Sequence, residues 1–199
     1  MIPTVKLNNS KKSILIIDQT RLPDECLQIE LKNLKQIYDA IKTLKVRGAP
    51  AIGVTAAYAI YLASLEVEND IIKHLKKTKE YLDSARPTAV NLSWATERML
   101  TKAVEFDKME NSKLRSALLE ECQNISHSEE VASMAIGAHM LTLLKPDMGI
   151  MTHCNAGQLA TVKYGTATAA MYLGHERNYN FHIFVDETRP LLQGARLTA

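Results

Sequence analysis

The last fifty residues of the chain have the pattern of a strand, a helix and a second strand, and this order constrains the fold more than any other feature. An apolar run over residues 149–153 is followed by the turn-forming segment "HCNAG", a helical pattern lies within residues 157–173, and a second apolar run covers residues 181–186. Strands joined by a crossover helix pair in parallel, because a tight hairpin joins only antiparallel strands. We therefore expect a parallel βαβ unit in residues 146–199, with another helix starting after Pro190.

A two-stranded parallel sheet needs further strands and helices to cover its edges and faces. The final residues, "GARLTA", have the pattern of the beginning of a helix. We therefore expect residues 146–199 to be the first part of a Rossmann-like domain whose remainder lies outside this chain.

The preceding residues predict a different architecture, in which a small β-rich segment is followed by helices. Residues 13–20 and 26–31 carry apolar and branched side chains around a turn-forming segment, which predicts a pair of strands. Apolar residues recur at helical spacing from Leu34, with Asn33 as a candidate N-cap. Further helices are predicted over residues 51–65, 69–85, 92–106 and 111–144. We expect a break in the last of these near residues 126–128.

These patterns divide the chain into three parts. Residues 1–110 are predicted to form a β-hairpin and helical domain, residues 111–145 a linking helical region, and residues 146–199 the start of the Rossmann-like domain. The predicted fold class is therefore α/β, with a small mixed β and helical N-terminal domain followed by an incomplete parallel-sheet domain.

Composition and charge exclude several classes of function. The 199 residues contain 24 Lys and Arg against 22 Asp and Glu, and this balance argues against nucleic-acid binding, which needs a clustered basic excess. The longest apolar run, residues 51–65, is shorter than the roughly 20 residues of a membrane-spanning helix. Glycine-rich nucleotide motifs are absent, so we expect no cofactor of that kind.

The cysteines and the N-terminus indicate a cytoplasmic protein. Cys26, Cys122 and Cys154 are odd in number and have no metal-ligand spacing, which is typical of reduced thiols and predicts no metal site. The first residues lack the pattern of a secretory signal.

Four polar breaks between the predicted elements carry the candidate chemistry. They are "VRGAP" (residues 46–50), "ARPTAVN" (85–91), "HCNAG" (153–157) and "ETRPLLQGAR" (187–196). Three contain an arginine and two precede a predicted helix, whose free N–H groups bind phosphate together with guanidinium groups. The set indicates a phosphorylated small molecule as the ligand. Taken singly, each break is also compatible with an ordinary loop in which an arginine is exposed by chance.

Cys154 follows a predicted strand and precedes a helical segment, where the helix dipole favours a thiolate. Cysteine is also one of the most frequently buried residue types, so its position alone leaves a reactive thiol and an inert core thiol equally open. His153 is a candidate base beside it. Neighbouring strand residues point to opposite faces, however, and we expect His153 to face away from Cys154.

As an ordered set, the segments "VRGAPAIGVTAAY", "RPTAVNL", "THCNAG...YGTA" and "VDETRPLLQGARLTA" resemble the successive motifs of the methylthioribose-1-phosphate isomerase family. The resemblance spans residues 15–199. It implies an aldose-ketose isomerase of methionine salvage that converts 5-methylthioribose 1-phosphate to 5-methylthioribulose 1-phosphate without a cofactor. The wider family includes ribose-1,5-bisphosphate isomerases and regulatory subunits of a translation-initiation guanine-nucleotide exchange factor, which can bind sugar phosphates without isomerising them.

The resemblance also implies roles for individual residues. Cys154 matches the catalytic cysteine. The substrate-binding positions are matched by Arg47, Gly48, Ala49, Arg86 and Gln193. The second catalytic group of the family is an aspartate followed by an Asn-Lys pair, which we expect beyond Ala199; Asp186 lies in an upstream motif and does not correspond to it. The resemblance therefore implies that these 199 residues alone are inactive and that the full-length protein is a homodimer.

The implied reaction explains the need for two catalytic groups. Phosphate on the anomeric oxygen prevents the furanose from opening to a free aldehyde, so an acid must assist ring opening before hydrogen moves from C2 to C1. Three alternatives stay open: a ribose-1,5-bisphosphate isomerase, a regulatory subunit that binds a sugar phosphate without isomerising it, and a product of a split gene that needs a second fragment for activity.

Overall fold

The structure, a computed structural model, describes residues 3–199. The first part of the chain contains β1 (Val5–Leu7), β2 (Ile14–Ile17), β3 (Gln28–Leu31), α1 (Leu34–Lys42), α2 (Ala49–Ser64), α3 (Ile71–Asp83), α4 (Val90–Glu105) and α5 (Asn111–Leu141). The second part contains β4 (Gly149–Thr152), α6 (Ala169–Glu176) and β5 (His182–Val185), with a 3₁₀ turn at Gln158–Ala160 and a π-helical turn at Gly194–Thr198. The molecule is thus a mixed α/β fold with a small parallel sheet, as predicted.

The N-terminal sheet is antiparallel, with the strand order β1-β2-β3. The central Ile16 is paired with Val5 on one side and with Ile29 on the other. The predicted pair of strands corresponds to β2 and β3. The pattern does not predict β1, because three residues are too few to show the alternation of a strand.

The N-terminal core is built around α2, whose residues from Ala51 to Ser64 are all buried. Such burial suits a segment that is apolar on every side. The helix predicted over residues 51–65 is confirmed and begins two residues earlier, at Ala49. Within residues 3–199, no helix has both the length and the apolar composition required to cross a bilayer.

The N-terminus of α1 is capped as predicted. The Asn33 side-chain oxygen accepts a hydrogen bond from the Gln36 N–H at 2.9 Å, which satisfies one of the free donors of the first turn. The buried face of α1 is formed by Ile37, Ala40 and Ile41, as the apolar spacing indicates.

The helix α5 is continuous over 31 residues, so the break predicted near residues 126–128 is wrong. Serine disfavours helix interiors because its hydroxyl competes for backbone groups, but the Ser128 hydroxyl donates within the helix to the Ile125 carbonyl at 2.8 Å. The first half of α5 contributes Leu118 and Ile125 to the N-terminal core. In the second half, Gly137 lies against Ala169 of α6.

The strands β4 and β5 pair in parallel, as the strand-helix-strand pattern predicts, with Ile150 opposite Ile183. The connection between them differs from the predicted helix within residues 157–173, because α6 begins only at Ala169 and continues to Glu176. Hydrogen bonds from the Thr168 hydroxyl to the Ala156 and Tyr164 carbonyls hold the preceding residues in an irregular loop.

The chain after β5 also differs from the prediction. The helix expected after Pro190 is limited to the π-helical turn Gly194–Thr198. Gly194 packs directly against the Asp186 carbonyl, so closely that a Cβ atom would overlap it. This contact folds the segment back onto the end of β5 and brings its residues to the loop that follows β4.

Candidate active site

Cys154 lies in the loop directly after β4 and is half-buried. Its backbone is left-handed, with φ at 67°, a conformation that costs a residue with a side chain roughly 1–2 kcal/mol. Two threonine hydroxyls bond to this backbone. The Cys154 N–H donates to Thr188 Oγ1 at 2.9 Å, and Thr198 Oγ1 donates to the Cys154 carbonyl at 2.6 Å.

Gln193 lies beside the cysteine sulfur. Its side-chain Nε2 donates a hydrogen bond to the Cys154 Sγ at 3.4 Å. Its Oε1 atom is buried and accepts no hydrogen bond from residues 3–199. A buried acceptor without a partner is costly, so this oxygen is suited to accept a hydrogen bond from a bound hydroxyl group.

Arg47 and Gly48 directly precede α2, whose first residue is Ala49 and whose N-terminus faces the same loop. Gly48 has φ of +94° and is the N-cap residue of α2. The close approach of Gly48 to Ala160 brings the start of α2 against the segment that follows Cys154. Free N–H groups and the helix dipole give such an N-terminus a partial positive charge.

The Arg47 guanidinium interacts electrostatically with Arg86, Arg196 and Cys154. Burial lowers the pKa of the Arg47 guanidinium below its usual value, a thiolate at Cys154 opposes this shift, and the guanidinium groups of Arg196 and Arg86 reinforce it. Cations held this close together repel each other unless an anion lies among them. The structure thus brings Arg47, Arg86, Cys154 and Gln193 to one region.

The three arginines differ in how their donors are used. Arg196 donates to the backbone carbonyls of Gln19, Thr20, Leu22 and Leu191, so its guanidinium is occupied. Arg47 and Arg86 form no ion pair and no side-chain hydrogen bond with residues 3–199. Their guanidinium groups are therefore available to an anionic ligand.

The sequence did not single out Gln19, which connects the N-terminal sheet to this region. Gln19 is buried in the turn after β2; its Nε2 donates to the Leu159 carbonyl at 2.7 Å, and its Oε1 accepts from Asn155 Nδ2 at 3.4 Å. Thr188 and Arg196 were inside a polar break but carried no signal of their own, and Thr198 follows that break. A local pattern cannot reveal such residues, because their partners are far away in the chain.

His153 is exposed and pairs with Asp186, with the Nδ1 and Oδ2 atoms 3.0 Å apart. It forms no hydrogen bond with the Cys154 side chain, whose sulfur is bonded to Gln193. In the part of the chain that the structure describes, no three His, Cys, Asp or Glu side chains are grouped as metal ligands.

The chain is similar to proteins of one known family. The model of the initiation factor 2 subunit family matches residues 45–199. The 5-deoxyribose 1-phosphate isomerase of Petrotoga mobilis is 50% identical over 198 residues, a match that covers 98% of this chain and 57% of that protein. The protein of the same name from Clostridium botulinum strain Okra is 48% identical, with the same coverage of both chains.

Two solved structures have the same fold. The 5-methylthioribose 1-phosphate isomerase from Pyrococcus horikoshii OT3 superposes with a TM-score of 0.93 at 34% identity and covers 100% of this chain and 56% of that one. The translation initiation factor eIF-2B, subunit delta, from A. fulgidus superposes with a TM-score of 0.89 at 36% identity, covering 100% and 58%. The chain therefore spans a little more than half the length of the relatives that it matches.

Proposed function

The chain belongs to the initiation factor 2 subunit family, and from this we propose that its full-length protein is an aldose-ketose isomerase of a pentose 1-phosphate. The family contains proteins named as isomerases and one named as an initiation-factor subunit, so membership alone does not select the activity. The observation that carries the proposal is the hydrogen bond from the Gln193 amide to the Cys154 sulfur, in a region that also contains the unpaired guanidinium of Arg47.

We propose 5-deoxyribose 1-phosphate as the substrate and 5-deoxyribulose 1-phosphate as the product. The names of the relatives from Petrotoga mobilis and Clostridium botulinum support this choice. The second candidate is 5-methylthioribose 1-phosphate, which the sequence motifs imply and the Pyrococcus horikoshii structure supports. Both sugars carry phosphate at C1 and lack a free hydroxyl at C5. Assignment to methionine salvage depends on the second candidate.

Arg47 and Arg86 bind the phosphate in this proposal, assisted by the first N–H groups of α2. Both guanidinium groups lack partners among residues 3–199, and a phosphate between them would relieve their mutual repulsion. The buried Oε1 of Gln193 accepts a hydrogen bond from a sugar hydroxyl. Together these contacts fix the pentose with its reacting carbons near the Cys154 sulfur.

The reaction needs a proton at the ring oxygen as its bond to C1 breaks, transfer of one hydrogen from C2 to C1, and loss of the C2 hydroxyl proton, which balances the proton taken up at the ring oxygen. The product then has a carbonyl at C2 and an unchanged phosphate. We propose that Cys154 acts at the reacting carbons. The second acid-base group is expected outside residues 1–199, and the full-length homodimer, its cytoplasmic location and the division at residues 110 and 145 remain predictions.

The proposal is tested by incubating the full-length protein with 5-deoxyribose 1-phosphate, 5-methylthioribose 1-phosphate and ribose 1,5-bisphosphate. Formation of the ketose is followed by ³¹P NMR. We expect turnover of the first substrate, and a loss of at least about a hundredfold in kcat for Cys154→Ser, the scale of a lost acid-base group. The matched control is Cys26→Ser, because Cys26 is an exposed thiol that is not bonded to Gln193.

A regulatory subunit is the second candidate function, supported by the similarity to the A. fulgidus protein. Binding of the three sugar phosphates in a calorimetric titration, without isomerisation of any of them, would favour that function.

Normal turnover of Cys154→Ser would show that the cysteine takes no part in the reaction.

A further inference from the structure

We propose that Thr188 and Thr198 are positioning residues, which hold the backbone of Cys154 in its left-handed conformation and thereby keep the sulfur beside Gln193. This inference rests on the proposed function, since it assigns the two threonines a role in the same site. Neither residue is among those that the sequence motifs mark as catalytic or substrate-binding.

The backbone of Cys154 is the first observation. Its φ of 67° lies in a region that side chains disfavour, and cysteine lacks the short polar side chain with which asparagine or aspartate bonds locally there. Such a conformation persists only when surrounding contacts fix it. The residue whose sulfur is proposed to act on the substrate is therefore held by something outside its own loop.

The two threonine hydroxyls provide these contacts from opposite sides of the residue. Thr188 Oγ1 accepts from the Cys154 N–H at 2.9 Å and donates to the Asp186 carbonyl at 3.2 Å. Thr198 Oγ1 donates to the Cys154 carbonyl at 2.6 Å. Rotation of either peptide group that flanks Cys154 would break one of these bonds, so the two hydroxyls together fix its φ and ψ angles.

The same segment also contacts the sulfur. Gln193 lies between the two threonines in the sequence, and its Nε2 donates to the Cys154 Sγ at 3.4 Å. The segment after β5 thus controls both the backbone and the side chain of Cys154. A shift of this backbone would therefore also move the sulfur away from the Gln193 amide.

Steady-state kinetics of the full-length protein with 5-deoxyribose 1-phosphate test the inference. Thr188→Val and Thr198→Val remove the hydroxyl with little change of shape, and we expect each to lower kcat by about tenfold, roughly the loss of one hydrogen bond. KM should stay within about twofold, because the arginines and Gln193 are unchanged. Thr188→Ser and Thr198→Ser keep the hydroxyl and should restore most of kcat.

The matched control is Thr168→Val. Thr168 is buried in the same region and donates to the Ala156 and Tyr164 carbonyls, but it does not bond to the backbone of Cys154. If Thr168→Val lowers kcat as strongly as the other two changes, the threonines merely stabilise the loop and the inference is wrong. A rise in KM at unchanged kcat would also overturn it.

A second measurement does not depend on turnover. In a Cys26→Ser background of the full-length protein, alkylation by iodoacetamide at pH 7 is followed by mass spectrometry of the peptide that contains Cys154, which distinguishes it from the buried thiol of Cys122. We expect the alkylation rate to change by at least about threefold in Thr188→Val and Thr198→Val relative to Thr168→Val, because a shift of the Cys154 backbone breaks the Gln193 hydrogen bond and changes the exposure of the half-buried sulfur. Equal rates would refute the positioning role. Unimpaired turnover in Cys154→Ser would instead refute the proposed role of the cysteine in the reaction. The alkylation rates would still show whether Thr188 and Thr198 position the Cys154 sulfur.

Discussion

The backbone at Gly48 runs against the backbone at Ala160, so closely that a Cβ atom on Gly48 would lie 2.4 Å from the Ala160 Cα. Gly48 also has φ of +94°, which residues with side chains rarely adopt. The contact joins the N-terminus of α2 to the segment that follows Cys154. The position of Arg47 relative to the cysteine therefore depends on the absence of a side chain at the next residue.

Gly48→Ala should destabilise the protein and weaken binding of a pentose 1-phosphate. A residue with a side chain in this conformation, with φ of 94° and ψ of 134°, costs roughly 1–3 kcal/mol, and displacement of Ala160 adds to this cost. Urea unfolding gives the change in the free energy of unfolding, and calorimetric titration gives the affinity. The control is Gly149→Ala on β4, whose added Cβ would meet only the Phe184 ring, at 3.5 Å. Equal stability of the two variants would contradict the prediction.

Cys122 should make the protein less stable in alkali. Burial raises the pKa of its thiol from 9.0 to about 12. Below pH 9 the thiol is protonated in both the folded and the unfolded state and contributes no pH dependence. Above pH 9 the unfolded state loses this proton while the folded state keeps it, so the free energy of unfolding falls by about 1.4 kcal/mol per pH unit until the folded pKa is reached.

Urea unfolding at pH 8 and pH 10 measures this effect. Cys122→Ala removes the ionisable group and should lose less stability between the two pH values than the wild type, by about 1 kcal/mol. Cys26→Ala should retain the wild-type pH dependence, because Cys26 is exposed. If Cys122→Ala kept the wild-type pH dependence, groups other than Cys122 would cause the fall in the free energy of unfolding above pH 8.

Arg196 should stabilise the contact between the turn after β2 and the segment after β5. Its Nη2 atom donates to the Leu22 carbonyl at 2.8 Å and also to the carbonyls of Gln19 and Thr20. Arg196→Ala should lower the free energy of unfolding by about 2 kcal/mol, as expected for hydrogen bonds from a charged donor. Arg196→Lys should not restore it, because lysine keeps the charge but lacks the planar set of donors.

The control for Arg196 is Arg189→Ala. Arg189 is exposed and pairs with Glu187, and exposed ion pairs contribute little to stability. We expect a change below about 0.5 kcal/mol for this variant in the same unfolding experiment. Full recovery in Arg196→Lys would mean that charge, rather than the arrangement of donors, holds the contact.

His153→Gln should leave kcat within about twofold of the wild-type value, because its ring pairs with Asp186 at the surface and an exposed pair of this kind contributes little. The measurement is steady-state turnover of the full-length protein from pH 6 to pH 9. A loss of kcat beyond about tenfold would instead identify His153 as a base in the reaction.

The helices of the N-terminal part were predictable because their signals are local. In α1, the signals are the spacing of Ile37 and Ile41 and the cap residue Asn33, all of which belong to one short segment. The burial of α2 follows from its uniformly apolar sequence. The parallel pairing of β4 and β5 was equally accessible, since it follows from the order of the elements along the chain.

The irregular parts of the candidate site depend on contacts between residues that are far apart in the sequence. Local sequence patterns therefore did not predict them. Gln19 bonds to the Leu159 carbonyl, which is 140 residues away. The late start of α6 reflects loop hydrogen bonds of Thr168, and the continuity of α5 reflects packing on both halves of the helix. The position of Cys154 after a strand made it a candidate, but only the family resemblance implied its catalytic role, and the threonines that bond to its backbone carried no signal of either kind.

The number of residues in α5 determines how α6 is placed relative to the N-terminal core, because α5 packs against both. At a rise of 1.5 Å per residue, its 31 residues span about 46 Å, and each residue turns the helix by about 100°. Insertion of one residue between Ile125 and Gly137 would therefore rotate Gly137 away from Ala169. The packing of α6 against α5 would then be lost. Insertion of seven residues would keep the face but move it by about 10 Å. Neither change can be absorbed locally, so this stretch should tolerate substitutions far better than insertions or deletions.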